Sequence, residues 1–136
     1  MFIIDTNVLS ELTKQRPDAR VIAWMDAQRS IAMSAVTVEE LAYGIERAKP
    51  EQKKRLGRWF EELMAIPPKV VAIDEEVART AGRLRAEREK AGRIVPQADL
   101  LVAACALATG RTLVTRNVKH FKDCGVGLFN PFSDAD

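Results

Sequence analysis

Histidine, cysteine and long apolar runs are what this 136-residue chain has least of, and each shortage removes a class of chemistry. The single histidine, His120, and the two cysteines, Cys105 and Cys124, cannot build a multi-histidine or paired-cysteine zinc centre. A serine nucleophile with a histidine base would have to use His120, and no GxSxG elbow accompanies it. The glycine-rich phosphate cradles GxGxxG and GxxxxGK followed by Ser or Thr are also missing. No stretch of 18 apolar residues occurs, and MFIIDTN at the start carries no basic segment ahead of a long apolar one. The expectation is a cytoplasmic protein with no membrane span and no disulfide. Aromatics are 6% of the chain, too few to offer stacking platforms for single-stranded bases. Charge of one sign is lacking as well: 21 Lys and Arg against 19 Asp and Glu leave +2, which neither demands nor forbids a polyanionic partner. Any catalysis must lean on carboxylates.

What is present is a globular composition, 47% hydrophobic and 29% charged, at a length suited to a single domain spanning 1–136. Met1 to Ile4 reads as a buried strand closed by the helix-capping run Asp5-Thr6-Asn7, after which Val8, Leu9 and Leu12 recur at helical spacing. Pro17-Asp18 opens a second helix through Val21, Ile22 and Met25, and Ser30 to Ser34 is a strand candidate. Thr37 can cap a helix along Val38, Leu41, Ala42 and Ile45, with Glu40 as its capping-box partner. A charged helix from Glu51 to Met64 runs into Pro67-Pro68, and Lys69 to Ile73 reads as a strand. Asp74 caps a polar helix from Glu75 to about Ala91, and Pro96 opens a helix from Gln97 to Thr109 that stops at Gly110. Its segment Leu100 to Ala108 is apolar on every face, as in a helix packed centrally. Thr112 to Thr115 and Gly127 to Phe129 complete the strands. Strands separated by helices of this length predict an α/β fold, a three-layer α/β/α sandwich with a mostly parallel central sheet. Ligands in such sheets bind beyond the carboxyl ends of strands, which singles out Asp5, Ser34 and the turn Thr115-Arg116-Asn117.

Asp5 is open to two readings, helix cap or functional carboxylate. Asp99 lies in the first turn of the otherwise apolar helix, where an unpaired charge is costly and a cation would relieve it. Glu39 and Glu40 both fall off the apolar stripe of their helix, and the helical wheel cannot choose between them. Two carboxylates at about 4 Å repel by about 4 kcal/mol at an effective dielectric of about 20. A convergent set would therefore require a cation, and hard oxygen donors suit Mg²⁺ or Mn²⁺. The chemistry natural to such a centre is phosphodiester hydrolysis.

FIIDTNVLSEL, SAVTVEELAYGI, ADLLVAACALATGRTLVTRNVKHF and GVGLFNPF, in this order and at these separations, resemble the PIN-domain ribonucleases, in particular the VapC and FitB-like toxins of bacterial toxin–antitoxin pairs. The resemblance runs from Met1 to Phe132. It implies a metal-dependent endoribonuclease whose acids fall on Asp5, Glu40 rather than Glu39, and Asp99, supported by Thr6 and Asn7. They would hold Mg²⁺, with Mn²⁺ as a substitute, to activate water against an RNA phosphodiester. Where many members carry a further aspartate, this chain has Asn117, which offers a hydrogen bond but no charge. His120 stands where relatives often have an acid and reads as a surface residue, and Asp123 would reach the site only if its loop folded back. The implied partners are RNA, a VapB-like antitoxin laid across a helical groove, and a second copy of the chain in a homodimer or a larger toxin–antitoxin assembly.

Basic residues crowd the helix from Arg79 to Arg93 and the run Lys53-Lys54-Arg55 with Arg58. They read either as solvated faces, laced by pairs such as Arg83–Glu87 and Glu89–Arg93, or as a path for the RNA backbone. Arg116, in a turn after a strand, is the better-placed phosphate contact. Trp24, Trp59 and Phe60 read mainly as core. Two other functions compete: a haloacid-dehalogenase-type phosphatase, which needs a second Asp where this chain has Asn7, and a non-catalytic PIN-fold or receiver-like binding module.

Overall fold

Apolar residues at successive positions of very short strands, separated by helices, leave each strand only one way to satisfy its backbone: parallel pairing inside a sheet covered on both faces. The computed structural model describes residues 1–66 and 68–133 and has this arrangement. In chain order the elements are β1 (Phe2–Ile4), α1 (Thr6–Glu11), α2 (Ala19–Asp26), β2 (Ala32–Ser34), α3 (Ala35–Glu46), α4 (Pro50–Ala65), β3 (Lys69–Val71), α5 (Glu75–Lys90), α6 (Gln97–Thr109), β4 (Thr112–Val114), α7 (Val118–Phe121) and β5 (Leu128–Phe129). Strand β4 sits between β1 and β5, β2 pairs with β3, and every pairing is parallel. Ile3 is level with Leu113 and Ile4 with Val114, while Val114 is level with Phe129. β2 packs beside β1 and brings the two ladders into one layer.

The two-residue period of a strand divides the core. Ile3, Ala32, Val71 and Leu113 point to the face covered by α5 and α6, joining Val77, Ala81, Leu84, Leu100 and the Val102–Ala106 run. Ile4, Met33 and Val114 point the other way, against Val8, Leu9, Val21 and Leu41. Trp24, Trp59 and Phe60 pack against this second cluster as partly buried core. Trp24 also meets Phe2 edge to face at 5.2 Å. The three-layer sandwich expected from the sequence is the observed fold.

Helix ends follow local chemistry. Asp18 and Asp74 cap α2 and α5 through their carboxylates. The buried Glu11 accepts from Lys14 and from the Asp18 backbone, contacts that hold its carboxyl below the usual range and tie the end of α1 to the start of α2. Helix α4 stops at Ala65; Pro67, expected to break it, lies outside the described residues. The four-residue α7 was not foreseen, because one turn is too short to show a period. Cys105 is buried, as expected, and so is Cys124; both are free thiols.

The basic face of α5 departs from expectation. Among the described residues its ion pairs are Arg79–Glu75 and Arg85–Glu89, Arg93 reaches Asp123 instead of Glu89, and no Arg83–Glu87 pair is formed. Arg88 is not on a solvated face. It follows Val77, Ala81 and Leu84 along the stripe that packs inward and is buried with them.

Gly110 ends α6 at φ 64°, with Arg111 N–H bonded to the Ala106 carbonyl at 2.9 Å. Only glycine takes this left-handed backbone without cost. Gly110→Ala is expected to lower stability by about 1 kcal/mol, read as a shift of the urea midpoint without a change of slope.

Candidate active site

The carboxyl ends of β1 and β4 lie side by side, because the register sets Ile4 level with Val114 and Asp5 N–H continues the ladder to the Val114 carbonyl at 2.9 Å. Asp5 and Thr115 therefore emerge together. Asp5 is 5% exposed. Its Oδ1 accepts from the Thr6 backbone at 2.8 Å, and its Oδ2 accepts from the Thr115 hydroxyl at 2.8 Å and the Asn7 amide at 3.3 Å. Cap and site were alternatives in the sequence; Asp5 is the cap of α1 and also the buried carboxylate of the acidic group.

Asn7 joins the two turns. Its Nδ2 reaches Asp5 and Thr115, and its Oδ1 accepts from the Arg116 backbone at 3.1 Å. Thr115, wholly buried, donates to Asp5 and accepts from the Asn117 backbone at 3.0 Å. Glu40 is tied in through Thr6, whose hydroxyl donates to Oε1 at 2.6 Å and lies 3.1 Å from the hydroxyl of the buried Thr37. Glu39 faces solvent. The capping-box reading of Thr37 and Glu40 is thus corrected. α3 begins two residues earlier than Thr37, Ser34 is its cap, and Thr37 lies on the buried stripe with Leu41.

Ser34 does not open toward the acids. Its hydroxyl accepts from the Val36 backbone at 3.0 Å and from the Cys105 thiol at 3.4 Å, so its support is indirect, through the helix that carries Glu40. Asp99, in the first turn of α6, accepts a 2.7 Å contact from the His120 ring at Nδ1. His120 is at the surface, as expected, and its half-exposed ring contacts Asp99. A carboxylate partner of that kind has no spacing signature, since 21 residues separate the two. Asn117 is exposed and its side chain makes no cap bond. The Arg116 guanidinium lies over the Phe132 ring at 4.6 Å. Asp123 pairs with Arg93 and takes no part.

Burial pushes the Asp5 carboxyl above the ordinary aspartate value; hydrogen bonds from Thr115 and Thr6 pull it back, and the charges of Asp99 and Glu40 push it up again. A buried carboxylate facing the like charges of Asp99 and Glu40 makes a set of hard-oxygen donors of the kind that suits a divalent cation. Among the described residues no three acids, histidines or cysteines stand close enough to grip one ion directly.

The model of the PIN domain family matches residues 2–125. The chain is 36% identical over 141 residues to the VapC ribonuclease Y4jK of Sinorhizobium fredii, covering 99% of this chain and all of that protein. It is 32% identical over 139 residues to the toxin FitB of Neisseria gonorrhoeae, covering 98% of this chain and all of FitB. The crystal structure of FitAcB from Neisseria gonorrhoeae superposes with a TM-score of 0.90 at 31% identity, over 97% of this chain and 99% of that one.

The sign of the Asp5 perturbation gives a prediction for the metal-free protein. A carboxyl whose folded pKa is raised binds its proton more tightly when folded, so stability falls as pH rises from the ordinary aspartate range through the folded value. In EDTA, Asp5→Asn is expected to have the higher urea midpoint at neutral pH, with the advantage shrinking toward pH ~4. Equal midpoints at neutral pH would contradict the burial and repulsion ascribed to Asp5.

Proposed function

The chain belongs to the PIN-domain family, and from that premise we propose that it is a metal-dependent endoribonuclease acting as the toxin of a type II toxin–antitoxin pair. The observation that carries the reading is geometric: at the carboxyl edge of the sheet the buried Asp5 carboxylate is held by Thr115, Asn7 and the Thr6 backbone, while the Thr6 hydroxyl holds Glu40. Asp5, Asp99 and Glu40 are the residues that would hold Mg²⁺, with Mn²⁺ as a substitute. When bound, the ion supplies an activated water and offsets charge on the phosphate.

The chain's own residues prepare that chemistry. Thr115, Asn7 and the Thr6 backbone fix the Asp5 carboxylate so that it does not reorganise when the substrate arrives. The Thr6 hydroxyl aims Glu40, and His120 aims Asp99. Arg116 stands exposed beside this group, its guanidinium propped on Phe132, and takes an RNA phosphate. Asn117 brings a neutral amide to the same turn, which favours one tightly held ion over two.

The antitoxin partner follows from the likeness to FitB, which is named a toxin. A groove of about 210 Å³ runs from Glu40 along Thr13, Leu41, Leu56 and Trp59. An amphipathic antitoxin segment laid there would end beside the acids and obstruct them. A homodimer in the cytoplasm is the working state we infer; no helix among the described residues is long and apolar enough to cross a membrane.

The test is cleavage of total RNA by the purified chain in Mg²⁺ or Mn²⁺ against EDTA. Asp5→Asn and Asp99→Asn are each expected to lose about 10³-fold in rate, the scale of several kcal/mol of charge stabilisation. Cleavage that survives either substitution at equal metal would refute the site assignment. Metal binding without cleavage of any RNA would favour the binding-module reading.

A further inference from the structure

A buried guanidinium with no carboxylate partner among the described residues is the feature that the acidic site does not explain. Arg88 occupies a core position on α5 and is 8% exposed. Its Nη1 donates to the Lys122 carbonyl at 3.2 Å, whereas its Nε–H is buried with no hydrogen-bond partner among the described residues. No ion pair to Arg88 is formed among those residues, although isolated buried cations are costly and are ordinarily paired.

Arg88 lines a cavity of about 140 Å³ between α5 and the start of α6, together with Arg85, Glu89, Arg93, Gln97 and the apolar wall Ile94, Val95 and Leu100. Three guanidinium groups thus face one carboxylate. That carboxylate, Glu89, holds Arg85 at 3.6 Å, and Arg93 is held at the same distance by Asp123, both pairs being solvent-exposed. Contacts of that length and exposure yield readily to a better acceptor. The first turn of α6 adds unpaired backbone N–H groups, since its cap residue is Pro96 and no side chain caps it.

The cavity is joined to the acidic site by two short links. Gln97 lines the cavity and Asp99, two residues on, belongs to the site. Arg93 donates to the Lys119 carbonyl at 2.9 Å, and the next residue of α7, His120, grips Asp99. We propose that the cavity lined by Arg85, Arg88 and Arg93 binds a backbone phosphate of the RNA at a position flanking the one attacked, so that the buried arginine gains its counter-charge only when substrate is bound. The planar fork of arginine matches a phosphate in two-point contact, and a cavity whose residues Gln97 and Arg93 lead to Asp99 and His120 by two chain steps and one hydrogen bond is placed for a phosphate flanking the proposed site. The proposal deepens the ribonuclease reading and rests on it for the identity of the anion.

The test reads the binding of a labelled single-stranded RNA oligonucleotide in EDTA by fluorescence anisotropy, across a range of salt. Arg85→Ala and Arg93→Ala are each expected to weaken binding several-fold and to reduce the slope of log K against log salt by about 0.7 to 1. Arg79→Ala removes the same charge from the same helix outside the cavity and is expected to change neither quantity. Arg88→Gln is expected to bind most weakly, and its fold is checked by circular dichroism; if it fails to fold, the two exposed arginines carry the test. Unchanged affinity and slope in Arg85→Ala and Arg93→Ala would overturn the proposal and leave an acidic protein segment as the occupant. An equal loss in Arg79→Ala would overturn it in favour of diffuse attraction. Because binding is read without metal, a chain that binds RNA through these arginines but never cleaves it sinks the nuclease reading alone. Cleavage by a chain whose arginine variants bind normally sinks the phosphate site alone.

Discussion

A carboxylate buried at the end of a central strand is the constraint on which the rest of this structure depends. Asp5 is desolvated by the sheet and faces the charges of Asp99 and Glu40, and both effects oppose its ionisation. The fold tolerates it because three donors converge on its oxygens: the Thr6 backbone, the Thr115 hydroxyl and the Asn7 amide. Those bonds stabilise the charged form without neutralising the group as a whole. The remaining imbalance is what a divalent cation bound at the proposed site would relieve.

The architecture serves that placement. Parallel register brings the ends of β1 and β4 level, and the extra ladder bond at Asp5 fixes the height at which the carboxylate leaves the sheet. Glu40 arrives from α3 on the second core's side and Asp99 from α6 on the first core's side, so the acids straddle the edge of the sheet. Each is steadied by a neighbour from a different element, Thr6 for Glu40 and His120 for Asp99. The acidic group is thus assembled from parts that only the three-layer packing brings together.

Much of this was legible in the sequence, for reasons that differ from residue to residue. Helix α6 declared itself through Pro96, an apolar run and Gly110, and its observed bounds are the expected ones. Asp5 and Asp99 stand out in the sequence as candidates because charge at the end of an apolar strand or on an apolar helix conflicts with its surroundings. Glu40 does not, since periodicity leaves it equivalent to Glu39; only the family resemblance separated them. The Thr37 cap was misplaced because Ser34, three residues earlier, offers the same chemistry, and a threonine in step with Leu41 could have been read as buried. Arg88 was hidden by its neighbours: within a run of arginines nothing marks one as inward, although its spacing from Val77, Ala81 and Leu84 carries that information. The contact between His120 and Asp99 joins two elements and has no local trace.

The most direct test of the central claim is a calorimetric titration of Mg²⁺ into the chain and into Asp5→Asn at neutral pH, without RNA. The account predicts saturable binding to the unsubstituted chain that is lost in the variant, because the neutral amide removes both a ligand and the repulsion that the ion relieves. Equal affinity in the two proteins would contradict it and would place the cation elsewhere.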